Sequence, residues 1–438
     1  MNQVVNTKKE DNMRKVALTA LAGTSIEWYD FFLYGAAAAL IFPSAFFGAV
    51  SETTALILSL LTFAAGFIAR PIGGIIFGHF GDKIGRKKTL ISALLLMGIS
   101  STLIGLLPTY AMIGVAAPII LTVLRFAQGL AIGGQWGGAM LLVTESAPAN
   151  QRGYYGAFAQ AGAPIGVILA NLALIVTSAL VSEEFFNTWG WRIPFLASAV
   201  LILISMYIQL NLEDTKAFRE LSKNKEPEEK VSITKSPVIE AIRKYPKRIC
   251  LAAGAFLSVQ VTFYILIAFM LAYGVSSANM ARDDMLSAVL IASAIMVPIQ
   301  FVFSSYSDKH GRKGIFMLGA ILSGIWAFAI FPLVGTGNYW LIVLAITGGL
   351  IFLAMMYGPQ AAFFTELFST EVRYSGATLG YQFGAIVGGA FAPTIAVKLW
   401  TDFDIFWVSV YIAFAALLTL LSVMALTETY QSDLNSDE

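Results

Sequence analysis

Apolar stretches long enough to cross a lipid bilayer recur along almost the whole chain, and this recurrence limits the possible folds more than any other feature. A membrane-spanning helix needs about 20 predominantly apolar residues. About twelve stretches approach that length: 16–42, 54–80, 89–108, 112–143, 153–181, 190–211, 249–274, 286–306, 314–333, 339–365, 374–398 and 403–426. They must be helices, because an open sheet in lipid leaves backbone groups without partners. The sequence therefore predicts an all-α polytopic membrane protein with twelve transmembrane helices.

The composition excludes several other classes of protein. Charged residues make up 13% of the chain, about half of the roughly 25% found in soluble domains, which is too few for a water-facing surface. A net charge of +1 gives no reason to expect a nucleic-acid partner. Cys250 is the one cysteine, so no internal disulfide forms, and no cluster of Cys and His has the spacing of metal ligands. We expect no metal and no cofactor.

The distribution of basic residues predicts the orientation in the membrane. Most Lys and Arg residues lie before residue 16, in the connection 81–88, in the polar segment 212–248 and around 309–313. If each predicted helix crosses the membrane once, these segments all lie on the same side. Connections rich in Lys and Arg stay in the cytoplasm. We therefore expect a multi-pass protein of the cytoplasmic (inner or plasma) membrane, with its N- and C-termini both in the cytoplasm.

The two halves of the chain repeat each other. Residues 78–87 (GHFGDKIGRK) correspond to 304–313 (SSYSDKHGRK), and the pair Glu145 and Arg152 corresponds to Glu366 and Arg373 at nearly the same offset. A duplication in the same orientation predicts two six-helix bundles related by a parallel pseudo-two-fold axis. We predict an N-terminal bundle over 1–211, a cytoplasmic linker over 212–248, and a C-terminal bundle with a short tail over 249–438.

Two carboxylates lie inside the first apolar stretch. Glu27 and Asp30 are three positions apart, and Tyr34 follows four positions later, so the three side chains form one polar stripe on a helix. A carboxylate at mid-membrane costs roughly 2.5–3.5 kcal/mol on insertion scales. A proton or substrate site facing an aqueous cavity explains this better than the alternative, a structural ion pair that joins helix 1 to a neighbour.

Several motifs together resemble the major facilitator superfamily, and within it the metabolite–proton symporter group. They are Glu27-Trp28-Tyr29-Asp30-Phe31 with Tyr34-Gly35, Ala69-Arg70-Pro71-Ile72-Gly73-Gly74, the loop residues Gly78, Asp82, Lys83, Gly85, Arg86 and Lys87, and Arg125 and Gln128-Gly129 with Gly133-Gly134. The resemblance covers essentially the whole chain. It implies a monomeric transporter that works by alternating access, with its site at mid-membrane between the two halves.

Two arginines lie deep in predicted helices. An unpaired guanidinium in lipid is improbable, so we expect Arg125 to pair with Glu27 or Asp30 at rest. Protonation of that carboxylate would release Arg125 to bind the carboxylate of a substrate. Arg70 is expected to form an ion pair with Glu27, or alternatively to contact the substrate itself.

Polar side chains on other helices complete the predicted site. In addition to Arg125, the candidates for substrate binding are Trp28, Tyr34, Gln128, Gln135, Gln160, Tyr264, Tyr357, Gln360, Tyr381 and Gln382. Each can orient a polar solute, but each can equally make a hydrogen bond between helices.

Acidic and basic residues recur together at the cytoplasmic ends of both halves. The predicted cytoplasmic gate consists of Gly78, Asp82, Gly85, Arg86, Glu145, Arg152, Asp308, Arg312, Glu366 and Arg373. The favoured interpretation is a latch that holds this side closed, and the alternative is that the basic residues only anchor the topology.

These features favour a proton-driven secondary symporter for a small mono- or dicarboxylate. A symporter for zwitterions such as proline and betaines is the first alternative, and a facilitator or channel without a protonatable switch is a weaker one. We do not expect an enzyme, since the sequence has no nucleophile–base set and no phosphate-binding glycine loop.

Overall fold

The computed structural model describes residues 2–84, 86–213, 237–368 and 373–430, and within these ranges it contains helices and no strand. Twelve long helices follow one another: α1 (Asn2–Leu40), α2 (Glu52–Ile84), α3 (Arg86–Leu106), α4 (Ala116–Ser146), α5 (Arg152–Leu180), α6 (Arg192–Glu213), α7 (Pro246–Ser276), α8 (Arg282–His310), α9 (Arg312–Val334), α10 (Tyr339–Glu366), α11 (Arg373–Gly384, continuing to Asp402) and α12 (Phe406–Ala425). The predicted number of spanning helices is confirmed.

Two of these helices change their winding near the middle of the bundle. α7 contains a π-helical turn at Ile265–Phe269, and α11 contains one at Ala385–Ala390 before resuming at Ala392–Asp402. Such turns leave backbone groups and side chains out of the regular α-helical register and often occur at functional positions. Both lie in helices that contact the N-terminal half.

Hydropathy and length alone identify fewer spans than the fold contains. Among the described residues, nine helices are long and apolar enough to cross a membrane, or ten if the bent pair Glu183–Gly190 and Arg192–Ile208 is one span. α1 is not among them. Its charged and polar signature residues Glu27 and Asp30 lower its mean hydropathy, although the helix occupies a spanning position in the bundle.

Helix packing shows the internal repeat directly. α1 packs on α5, α2 on α4, and α3 on α6, while α7 packs on α11, α8 on α10, and α9 on α12. Each pairing in the first half therefore has its equivalent six helices later. This agreement confirms the predicted parallel repeat of two six-helix bundles.

The two bundles meet along two sides of a central axis. α5 packs on α8 and α10, and α2 packs on α11. We call the end of the bundle where α8 ends at His310 and α9 begins at Arg312 the basic end; it is the end predicted to face the cytoplasm. Most of the segment 212–248 lies outside the described residues, so the predicted linker and domain limits stay predictions.

Glycines allow the backbones of α2 and α4 to touch. A Cβ atom placed on Gly133 would overlap the carbonyl group of Arg70, and one on Gly73 would overlap the carbonyl group of Leu130. Close approach of helices at small residues is a major source of packing energy in membranes. This contact fixes Arg70 on α2 at the level of the polar residues of α4.

Replacing Gly133 by alanine tests this contact. Because the new methyl group meets rigid backbone, we expect Gly133→Ala to lower stability by about 1–3 kcal/mol, seen as a lower apparent melting temperature in detergent. Gly314→Ala is the matched control, since a Cβ atom there meets nothing within 4 Å. Equal melting temperatures for the two variants would contradict the proposed role of the contact.

Candidate functional site

A small cavity lies at the centre of the bundle, between the two halves. It is lined by residues of α1 and α5 on one side and of α7, α10 and α11 on the other. The lining residues are Trp28, Phe32, Ala163, Val259, Gln260, Phe263, Tyr264, Leu353, Tyr357 and Tyr381. A lining made mainly of aromatic surface with a few polar groups is typical of a small-molecule site.

Four of the predicted substrate-binding residues line this cavity: Trp28, Tyr264, Tyr357 and Tyr381. Phe32 and Phe263 also line it and were not predicted, because an aromatic residue in a spanning helix gives no signal that separates a cavity wall from ordinary core packing. Trp28 and Phe32 stack with their ring centres 5.2 Å apart. The wall is therefore a continuous aromatic layer shared by both halves.

Arg125 lies behind this layer, fully buried in α4. Its guanidinium carbon is 4.0 Å from the ring centre of Phe31 and 4.3 Å from that of Tyr34. Nη1 donates a hydrogen bond of 3.1 Å to Oε1 of Gln128, whereas Nε and Nη2 have no hydrogen-bond partner. The charge is thus held by aromatic faces and one amide, with donors left over for a ligand.

Arg70 is the second buried guanidinium and is 1% exposed. Its guanidinium carbon lies 4.3 Å from the ring centre of Phe31, 4.4 Å from that of Phe67 and 5.3 Å from that of Trp28. Nε and Nη2 have no hydrogen-bond partner. Because Trp28 also lines the cavity, this charge lies directly behind the cavity wall.

The predicted direct ion pairs of these arginines are not formed. Asp30 is buried next to the arginines, but its Oδ1 accepts a hydrogen bond from the Ser198 hydroxyl, and its Oδ2 has no hydrogen-bond partner. Among the described residues, Arg125 and Arg70 are within ion-pair distance of no carboxylate, including Glu27. The guanidinium groups contact aromatic rings between α1, α2 and α4, where carboxylates had been predicted.

The remaining predicted site residues differ in their surroundings. Tyr34 does not line the cavity; it is fully buried, and its hydroxyl donates to Thr62 at 2.7 Å. Gln160 donates to the carbonyl group of Tyr357 across the two halves at 3.3 Å. Gln360 is buried with both amide atoms unpartnered, and Oε1 of Gln382 is unpartnered as well. The side chain of Gln135 lies outside the described residues.

Charged residues join the two halves at the basic end. Nη1 of Arg312 lies 2.7 Å from Oδ1 of Asp308, and Nη2 lies 3.2 Å from Oε1 of Glu366. Arg152 reaches Glu366 from the other half at 3.8 Å. The structure therefore brings these four predicted gate residues into one network. The side chains of Gly78, Asp82, Gly85, Arg86, Glu145 and Arg373 lie outside the described residues.

Asp308 also contacts the backbone of the opposite half. Its two carboxylate oxygens accept hydrogen bonds of 2.8 Å from the N–H groups of Gly153 and Tyr154, in the first turn of α5. A carboxylate at a helix N-terminus satisfies orphan donors and interacts favourably with the helix dipole. This contact closes the basic end between α5 and α8.

The chain after α12 reinforces the same network, which no sequence pattern had indicated. Glu428 accepts hydrogen bonds from the N–H groups of Arg312 at 3.0 Å and Lys313 at 2.9 Å, so it caps the start of α9. The Thr429 hydroxyl donates to Glu366 at 2.8 Å. The tail thereby holds Glu366 and Arg312 in the geometry that reaches the other half.

A second connection closes the opposite end of the bundle. Arg282, at the start of α8, donates to Asn187 at 3.2 Å and to Ser178 of α5 at 3.0 Å. Its guanidinium carbon lies 4.0 Å from the ring centre of Phe186, and Asp283 accepts a hydrogen bond of 2.8 Å from Ser178. The same two helices, α5 and α8, are therefore fastened at both ends.

A cavity between two similar bundles, with a separate polar connection at each end, is the arrangement of a membrane transporter. The chain belongs to the Major Facilitator Superfamily, whose sequence pattern matches residues 20–379. The resemblance noted from the motifs is confirmed.

Relatives extend over nearly the whole chain. The chain is 39% identical to the inner membrane metabolite transport protein YhjE of Escherichia coli (strain K12), covering 97% of this chain and 96% of that protein. It is 36% identical to the shikimate transporter of the same organism, covering 96% and 95%. It is 31% identical to the proline/betaine transporter of that organism, covering 96% of this chain and 84% of the other.

A solved structure shows the same fold. The proton:xylose symporter XylE bound to 6-bromo-6-deoxy-D-glucose superposes with a TM-score of 0.74 at 17% identity, covering 98% of both chains. At this level of identity the likeness concerns the fold alone. Together with the relatives, it shows a multi-pass membrane transporter.

The connection made by Arg282 predicts an effect on access to the cavity. In a variant whose Cys250 is replaced by serine, Ala163→Cys places a thiol in the cavity wall. Adding Arg282→Gln removes the contacts to Ser178 and Asn187. We expect labelling by an impermeant thiol reagent, added from the side of Arg282, to become about tenfold faster, since a hydrogen bond to a charged group contributes about 1.5 kcal/mol.

Lys398→Gln is the matched control for this experiment. It removes a positive charge near the same end of the bundle, but Lys398 pairs with Asp402 within one helix and not with the other half. Labelling in this control is expected to match the parent. An unchanged labelling rate in Arg282→Gln would show that Arg282 does not restrain this end.

Proposed function

We propose that this protein is a proton-coupled symporter that carries a small organic acid across the membrane. In this proposal Asp30 binds the coupling proton, Arg125 binds the carboxylate of the substrate with Arg70 adding positive potential, and the aromatic cavity holds the rest of the molecule. The proton serves as the coupling ion, and no cofactor takes part.

The charge balance of the buried site carries this proposal. The guanidinium groups of Arg70 and Arg125 are buried behind the cavity, and each has two nitrogens without a hydrogen-bond partner. Asp30 is the buried carboxylate beside them, and it is 1% exposed. Buried charges normally acquire a partner, so an anionic substrate completes this site. Arginine is also the side chain best suited to bind a carboxylate.

Protonation of Asp30 would increase the excess of positive charge. With Asp30 charged, its negative charge offsets part of the positive charge of the two guanidinium groups; with Asp30 neutral, that offset is lost. Binding of an anion is therefore favoured when the proton is already bound, and by linkage the anion favours binding of the proton. Loading of both ligands together is the property that a symporter requires.

The aromatic wall supports a second candidate. Trp28, Phe32, Phe263, Tyr264, Tyr357 and Tyr381 surround the cavity, and aromatic faces bind quaternary ammonium groups. A zwitterion such as a betaine could place its ammonium group against this wall and its carboxylate towards Arg125. A facilitator without proton coupling is disfavoured, since it gains nothing from a carboxylate buried as completely as Asp30.

Proteoliposomes distinguish these candidates. We expect one or more acids among shikimate, citrate and 2-oxoglutarate to produce substrate-dependent alkalinisation of the medium, and neither proline nor glycine betaine to do so. The reverse selectivity would assign the protein to zwitterions. Uptake of an acid without any proton movement would favour a facilitator.

Substitution of Asp30 tests the coupling role. In Asp30→Asn the side chain keeps its shape but binds no proton, so we expect gradient-driven accumulation to fall by at least about tenfold, while exchange of internal for external substrate persists. Glu52→Gln is the matched control, because Glu52 is an exposed carboxylate at the start of α2 in the same half. Accumulation at the parental level in Asp30→Asn would remove Asp30 from the coupling role.

A further inference from the structure

The proton site and the guanidinium group of Arg125 are joined by a chain of buried side chains. We infer that Ser101 and Gln128 are positioning residues that transmit the charge state of Asp30 to Arg125 through hydrogen bonds, in place of a direct ion pair. This inference rests on the proposed function, since it concerns the same proton and substrate site.

The chain crosses three helices. Oε1 of Gln128, on α4, accepts a hydrogen bond of 3.1 Å from Nη1 of Arg125. Nε2 of the same amide donates a hydrogen bond of 2.7 Å to the hydroxyl of Ser101 on α3. Ser101 in turn faces Asp30 of α1. All of these side chains are at most 1% exposed, so water does not compete for their hydrogen bonds.

Free hydrogen-bonding capacity remains at the junction between Ser101 and Asp30. The Ser101 oxygen accepts from Gln128, and its own proton can be donated to the carboxylate of Asp30. On the other side, Oδ2 of Asp30 has no hydrogen-bond partner. A hydroxyl with its proton available therefore faces a carboxylate oxygen that needs a donor.

The direction of these hydrogen bonds explains how the signal passes. When Asp30 is charged it attracts the Ser101 proton, and a hydroxyl that donates strongly also accepts more strongly, because successive hydrogen bonds polarise each other. Gln128 is then held with its amide nitrogen on Ser101 and its oxygen on Arg125. Arg125 is occupied by this contact and is less available to a substrate.

Protonation of Asp30 reverses this arrangement. The neutral acid no longer draws the Ser101 proton, so the hydrogen bond from Gln128 weakens and the amide is free to turn away from Arg125. The proton itself stays on Asp30, and no covalent bond other than its O–H bond forms. Arg125 then loses its one hydrogen bond among the described residues and is available to the substrate carboxylate.

Few other titratable groups surround Asp30. Arg125 faces it from α4, while Tyr29 and Glu27 are its neighbours on α1. α6 contributes the hydroxyl of Ser198, and α3 contributes that of Ser101, neither of which titrates. The Coulomb attraction between Asp30 and Arg125 acts in parallel with the chain. A variant that interrupts the chain but keeps both charges separates the two effects.

Ser101→Ala is this variant, and Ser100→Ala is its matched control. Ser100 is also buried in α3, one residue earlier, but its hydroxyl donates at 2.7 Å to the carbonyl group of Leu96 in its own helix. Gln128→Met is a second variant that interrupts the chain at its other member while keeping a similar side-chain volume. If Ser101→Ala folds poorly, Gln128→Met gives the same test.

The first measurement is the dissociation constant of shikimate at pH 5.5 and pH 8.0, with citrate as the probe if shikimate does not bind the parent. In the parent we expect tighter binding at the lower pH. In Ser101→Ala and Gln128→Met we expect the ratio of the two constants to shrink by about fivefold or more, and in Ser100→Ala to stay as in the parent. An unchanged ratio in both chain variants overturns the inference.

The second measurement needs no substrate. The infrared carboxylate stretching band of charged Asp30, identified by its loss in Asp30→Asn, should shift in Ser101→Ala and not in Ser100→Ala. An unchanged band in Ser101→Ala shows that Ser101 does not bond to Asp30 and also overturns the inference.

The two proposals can fail separately. If Asp30→Asn accumulates substrate as the parent does, or if no acid is transported, the proposed function fails whatever the chain variants show. If Asp30→Asn loses accumulation while Ser101→Ala and Gln128→Met keep the parental pH dependence, the function stands and the hydrogen-bonded chain is wrong.

Discussion

Two guanidinium groups buried inside a membrane domain are the constraint on which the rest of the structure depends. Each charge is expensive in lipid, and the described part of the chain provides no ion-pair partner at Arg70 or Arg125. The protein compensates with aromatic faces. Phe31 contacts both groups at about the distance expected for cation–π interactions. Their remaining donors stay available.

The location of these charges explains why the two halves differ although they share one fold. The helix pairings repeat from one half to the other, but the two arginines beside the cavity, Arg70 and Arg125, and Asp30 belong to the N-terminal half. The C-terminal half contributes aromatic rings, amides and two π-helical turns. Both halves line the same cavity, so binding of a small solute involves both and depends on their relative position.

Helices α5 and α8 connect the cavity to both ends of the bundle. At the basic end Asp308 binds the first turn of α5, and at the other end Arg282 binds its last turn. Polar connections at both ends leave the central cavity enclosed. Alternating access would require these two connections to open in turn. The two connections are built differently. The basic end has a buried network reinforced by the chain after α12, whereas the other depends on one partly exposed arginine.

The sequence by itself determined the fold and the identity of the polar residues. Three features were sufficient: apolar stretches of spanning length, two repeated motifs, and the positions of Asp30 and Arg125. Only helices and closed barrels can span lipid, and a charged residue inside a spanning helix usually has a function. The tertiary structure alone decided which of these groups touch. It placed aromatic rings where ion pairs were expected, placed Ser101 and Gln128 between Asp30 and Arg125, and brought Glu428 and Arg282 to the ends of the bundle. These contacts depend on side chains from helices far apart in the chain, and the types of residue involved are common in any spanning helix.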